Sequence, residues 1–293
     1  MLWEACCVPS LLHGAGTWVE ISDKTVKKLN SIQNWFLRVI LQVGPGTPLA
    51  ALLWDTRVLD MKFRVWREKL MLMLHIRRLN DNALAKMIYK EQKEKKWPGL
   101  VEETENICQW LEIESVHTTL LEVQQFRKVV TEACHRANEQ MLRKEAEGKE
   151  KVARLQTEAY EKKDYLSKQK IENVRRQFRA RYKMLPFAGN FGKDRRFSHT
   201  EWLCLCKEEK EQESHLLAGS CKVYGDIRRR FGDLDDEEDL VEFFKEVLER
   251  REELEAGGDA AQRLEDEDTL VGGGNTTDGA SSGGDLGRAS LCD

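Results

Sequence analysis

Four residues near the C-terminal third have the types and spacing for metal chemistry. Cys204, Cys206, His215 and Cys221 form a C-x-C-x8-H-x5-C array. Three thiolates and an imidazole can supply the four tetrahedral ligands of a structural zinc ion, and binding would itself fold so short a unit. A single residue between the first two cysteines tends to point their sulfurs apart unless the backbone turns sharply. His199 is near enough in sequence to replace a poor ligand. The competing reading makes the cysteines small buried apolar side chains and His215 a helix-surface residue.

The second chemistry-bearing set is cationic. Arg175, Arg176, Arg179 and Arg181 crowd one short helical stretch, and Arg175 and Arg179, four apart, share a face that can grip successive phosphates. Lys193, Arg195 and Arg196 follow in a loop whose Phe187, Phe191 and Phe197 can either stack on bases or anchor the loop. Arg64, Arg67, Arg77 and Arg78 are interleaved with apolar residues farther upstream. Met1 to Phe231 holds 42 Lys+Arg against 31 Asp+Glu, while Gly232 to Asp293 holds 5 against 20. A basic body suits a phosphate partner, and an acidic tail suits disorder or competition for that surface. An ordinary solvated surface explains the same charges.

The chain shows no arrangement that would make it an enzyme alone. Its one Asp-Asp pair, Asp235-Asp236, sits in an acidic run that caps a following helix and lacks the flanking strands of a polymerase hairpin. There is no Walker loop, and Gly44-Pro45-Gly46 reads as a turn. Neither Cys6-Cys7 nor His13 has a recognisable catalytic partner. No apolar run is long enough for a bilayer and no signal peptide is evident, so the eight cysteines are expected in a reduced, intracellular chain, nuclear or cytoplasmic, with no membrane partner.

The elements that must position these groups read as mostly α. Ser22 caps a helix with Val26, Leu29, Ile32, Phe36, Ile40 and Val43 on its expected buried face; Gly44 and Pro45 end it, and Thr47-Pro48 restart the chain. Beyond Asp60 comes a helix apolar on most sides with cations at one edge. A polar helix over residues 82–96 carries a thin seam of Leu84, Met87 and Ile88, with Tyr89 beside them, and a short one covers residues 100–111. Residues 112–184 contain no proline and one glycine, Gly148, which predicts a long charged helical connector starting near Val116. Residues 185–231 form a basic loop and the Cys/His segment, 232–255 an acidic helix over Leu240 to Leu254, and 256–293 a disordered tail.

The run Val8-Pro9-Ser10-Leu11-Leu12-His13-Gly14-Ala15-Gly16-Thr17-Trp18, then Ile32-Gln33-Asn34-Trp35-Phe36-Leu37-Arg38-Val39-Ile40-Leu41, Gly46-Thr47-Pro48 and Ala50-Ala51-Leu52, resembles the thumb of a non-LTR (LINE-type) retrotransposon reverse transcriptase. Their order along the chain carries the resemblance, which covers roughly the first hundred residues. Glu213-Ser214-His215-Leu216-Leu217, Cys221 and Tyr224 are similar to that family's C-terminal Cys/His segment, although two residues more often separate its first cysteines. The resemblance implies a thumb-like bundle in residues 1–111 and a polymerase palm upstream of Met1, which is then either an internal methionine or an artefact of gene prediction. It also implies a non-catalytic role in binding RNA or an RNA/DNA hybrid. The alternative is a helical scaffold whose stripes, Leu120 to Met141 and Ile171 to Tyr182, contact a protein partner.

Overall fold

Ser22 begins the first long helix as its spacing predicts: its side chain accepts the Thr25 N–H at 3.2 Å, and α2 runs Asp23–Leu41. A π-helical turn at Trp3–Cys7 and the short α1, Val8–Leu11, precede it. The computed structural model describes residues 3–187, 203–232, 234 and 237–271, with side chains of the last helix described for 239–256. It is mostly helical, and the only β pairing among the described residues is an isolated antiparallel bridge between Leu203 and Lys210. Residues 1–241 and 242–293 form two compact units.

The buried face of α2 is rotated from the expected stripe. Gln33, Leu37 and Leu41 are buried, while Ile32, Trp35 and Val39 are exposed. Gln33 tolerates burial because its amide donates to the Leu59 carbonyl at 3.1 Å. The helix ends before Gly44, on Gln42 in the left-handed conformation, and Pro48 rather than Thr47 occupies the N-cap of α3, Leu49–Thr56. Five successive residues of α3, Ala50 to Trp54, are fully buried, so this helix is enclosed on every side.

Asp60 caps α4, Met61–Arg78, through its carboxylate and the Lys62 N–H at 2.8 Å. Two of its cations are not at an edge but inside. Arg64 is buried in a two-pronged pair with Glu4, and Lys69 is buried against Glu103. Close approach explains Gly16: a Cβ there would lie 2.9 Å from Leu72 Cβ and 3.0 Å from the Glu68 carbonyl oxygen.

In α5, Leu84–Lys95, the seam of Leu84, Met87 and Ile88 faces outward. Of the expected seam only Tyr89 is buried, stacked on His117 with ring centroids 5.7 Å apart. Helix α6, Leu100–Trp110, matches its expectation within a residue.

The largest departure is in 112–184, where no single long connector exists. Helix α7 starts at Val123, where Glu122 and Gln125 form a reciprocal capping box, and ends at Ala146; Gly148 follows with φ +70°. A 3-10 stretch, Glu150–Gln156, then α8, Tyr165–Lys168, and α9, Ile171–Arg181, fold back on the body. Val152, Leu155, Tyr165, Val174, Phe178 and Tyr182 join Leu37, Leu41 and α3 in one apolar core. The few apolar residues of this charged stretch are therefore its packing residues, which an exposed helix would not need.

That core encloses a polar centre. Asp55 is fully buried and accepts from Tyr165 Oη at 2.7 Å, Tyr182 Oη at 2.6 Å and Arg181 Nε at 2.9 Å. Arg181 also reaches Glu158 at 2.7 Å. Burial pushes the Tyr165 and Tyr182 hydroxyls up, and the Asp55 charge adds to it, so both remain donors.

Short helices α10, Glu213–Leu217, and α11, Gly225–Arg230, follow. Helix α12 runs Glu237–Val271, beyond the expected end at Leu254 and into the stretch from 256 expected to be disordered, despite Gly257 and Gly258. Asp235-Asp236 and residues 272–293 lie outside the described residues. No described helix is long and apolar enough to cross a membrane.

Candidate metal centre

A tight hairpin positions the first two cysteines. Cys204 N–H donates to the Glu209 carbonyl at 2.8 Å, Lys207 N–H donates to the Cys204 carbonyl at 2.7 Å, and Lys207 has φ +63°. This is the sharp turn that one intervening residue requires. Helix α10 then presents His215, and a turn at Gly219, φ +73°, returns the chain to Cys221. Gly219 sits 3.3 Å, at its would-be Cβ, from Arg228 of α11. Leu216, Tyr224 and Ile227 are buried around the cluster.

The four ligand atoms lie within 4.8 Å of one another. Cys204 Sγ and Cys221 Sγ are 3.6 Å apart, and Cys206 Sγ and His215 Nε2 are 3.3 Å apart. A tetrahedral ion with metal–sulfur bonds of about 2.3 Å has edges of about 3.7 Å, close to both separations. A disulfide needs sulfurs at about 2 Å, so the cluster has ligand spacing. The residues fit a tetrahedral metal. The side of the imidazole facing the sulfurs is Nε2; Glu209 Oε2 lies 3.1 Å from Nδ1, out of line for a hydrogen bond but close enough to orient the ring by charge.

The thiols are not alike. Burial opposes ionisation of Cys206, but N–H groups of Glu208 and Glu209, with hydrogen bonds from Cys204 and His215, bring it down to about 7. Burial, joined by the neighbouring Cys221 and Cys206, pushes Cys204 up. Cys206 thus gives up its proton more readily than Cys204, and a bound cation would ionise the rest. His199 lies outside the described residues.

Among the described residues, most of the cations expected at a nucleic-acid surface are engaged within the fold. Arg64 and Arg181 are buried in ion pairs with Glu4 and with Asp55 and Glu158, which removes both from a surface role. Arg77 donates to the carbonyls of Val116, at 2.7 Å, and Thr119. Arg78 reaches the Leu121 carbonyl at 2.5 Å, Arg67 pairs with Glu68 at 3.1 Å, and Arg176 bonds Asn173 at 3.3 Å.

Arg175 and Arg179 do share a face, and it meets the C-terminal end of α2. They donate to the carbonyls of Ile40 at 2.8 Å and Gln42 at 2.5 Å. Those carbonyls have no partner within α2 and carry the negative end of its dipole, a role that the cation spacing alone did not reveal. Burial and the repulsion of Arg175 and Arg176 lower the pKa of Arg179, a sign of concentrated positive charge. Phe187 is fully buried, an anchor rather than a stacking platform. Lys193, Arg195, Arg196, Phe191 and Phe197 lie outside the described residues.

No protein-family model, no curated protein and no solved structure matches the chain.

Proposed function

We propose that the chain is a non-catalytic nucleic-acid-binding region, resembling the thumb and post-polymerase segment of a non-LTR retrotransposon reverse transcriptase, with a structural zinc ion held by Cys204, Cys206, His215 and Cys221. The observation that carries the reading is the convergence of those four ligand atoms within 4.8 Å, in the segment where the resemblance implies a Cys/His unit. Four protein ligands leave no open position, so the ion would supply folding energy by tying the hairpin to α10 and the turn beyond it. The partner is RNA or an RNA/DNA hybrid, gripped through its phosphates by the exposed part of the basic body together with Lys193, Arg195 and Arg196.

Fluorescence anisotropy with a labelled RNA/DNA hybrid across a salt series tests this. Binding that falls steeply with salt, and weakens when Lys193, Arg195 and Arg196 are replaced together by Ala, supports it. No binding at low salt contradicts it. A second reading, a helical protein-interaction module, draws support from the exposed side of α2, where Trp35 is 64% exposed beside Ile32 and Val39. Nuclease-insensitive self-association in light scattering would favour that alternative.

A further inference from the structure

Away from the cysteines, a cavity of about 300 Å³ opens beside the end of α3 and the start of α4. Glu4, Arg57, Arg64, Arg67, His135 and Lys162 line it, so four cationic side chains face a single carboxylate. That carboxylate is committed: its two oxygens take Arg64 Nη1 and Nη2 at 2.9 and 2.6 Å. Arg64 Nε is committed as well, to the Leu59 carbonyl at 3.2 Å.

The remaining cations are less neutralised. Arg67 pairs only sideways, with its sequence neighbour Glu68, and among the described residues neither Arg57 nor Lys162 is ion-paired. Arg57 lies 5.8 Å from the centre of the Tyr160 ring and is held in the left-handed conformation that ends α3, φ +51°. His135 adds a polar atom, since its Nδ1 is buried without a hydrogen-bond partner. Burial and then the charges of Arg57, Arg64 and Arg67 push its pKa down to about 4, so the field at this spot is positive.

We propose that this cavity is a binding site for a phosphate group, with Arg57, Arg67 and Lys162 supplying charge and His135 a hydrogen bond. Several acceptor oxygens on one compact anion match donors that arrive from several directions, and guanidinium forks suit phosphate geometry. The volume exceeds that of a bare phosphate and leaves room for an attached sugar. Glu4 holds Arg64 back and sets the affinity. The site stands independently of nucleic-acid binding and of the metal centre.

Isothermal titration of the full chain with inorganic phosphate and with a nucleoside 5′-monophosphate, at matched ionic strength, tests the assignment. Saturable binding is expected, weakened about tenfold by Lys162→Gln or Arg57→Asn, since each removes one charge-assisted contact. Lys162 is exposed, and Asn tolerates the left-handed backbone at 57, so both variants should fold. Glu4→Gln, which releases Arg64, should tighten binding several-fold. Tighter binding of the monophosphate than of phosphate identifies an ester as the ligand, and equal binding identifies the free anion. Absence of saturable binding, or wild-type affinity in both Lys162→Gln and Arg57→Asn, overturns the proposal.

Discussion

Around Asp55 the chain surrounds one carboxylate with two tyrosines and an arginine, and wraps them in side chains from α2, α3, α7 and α9. Between Leu203 and Phe231 it has few large buried apolar residues, Leu216, Tyr224 and Ile227, beside the cysteines and His215. The first region buries enough apolar surface to carry its polar centre. The second has too little core for its length and gathers thiols and an imidazole at ligand spacing instead. One chain thus contains a packing-dependent fold and a small Cys/His unit that could bind a metal; with the proposed zinc ion in place, the two should fail under different insults.

Removing metal should separate them most. A tight chelator is expected to unfold residues 203–231, seen as loss of amide hydrogen-exchange protection there, while α3 and α7 stay protected. Parallel loss of protection in both regions would show that residues 203–231 do not depend on metal separately from the body. Asp55→Ala should do the reverse, destabilising the body by about 3–5 kcal/mol because Tyr165, Tyr182 and Arg181 lose their shared buried acceptor, although Arg181 still pairs with Glu158; denaturant unfolding of the metal-loaded protein measures it. A smaller effect sharpens the contrast within the body itself: Ser22→Ala removes a cap from an exposed helix end and should cost about 1 kcal/mol in the same assay.

Local signals made part of this architecture legible. Ser22 and Asp60 were readable as helix starts because a cap is written within three residues of its target. The clustering of Cys204, Cys206, His215 and Cys221 was readable because cysteine and histidine types advertise their chemistry. The break-up of 112–184 was not, since a charged stretch with one glycine satisfies helix propensity everywhere. What broke it is packing of Val152, Leu155 and Tyr165 against distant helices. Arg181 and Asp55 meet across 126 positions, and no periodicity of either helix announces the pair. Nor could spacing distinguish an arginine that grips phosphate from Arg175, which completes the end of α2. Charge patterns name a residue's means, while only the fold names its partner.

The most direct test is a titration of the reduced, metal-free chain with Co(II), followed in the visible spectrum and then displaced by Zn(II). One equivalent is expected to bind, with the intense d–d absorption of a tetrahedral site and thiolate charge-transfer bands, both weakened by Cys206→Ser and by His215→Ala. An octahedral spectrum, or one unchanged in both variants, would contradict a metal centre built from Cys204, Cys206, His215 and Cys221.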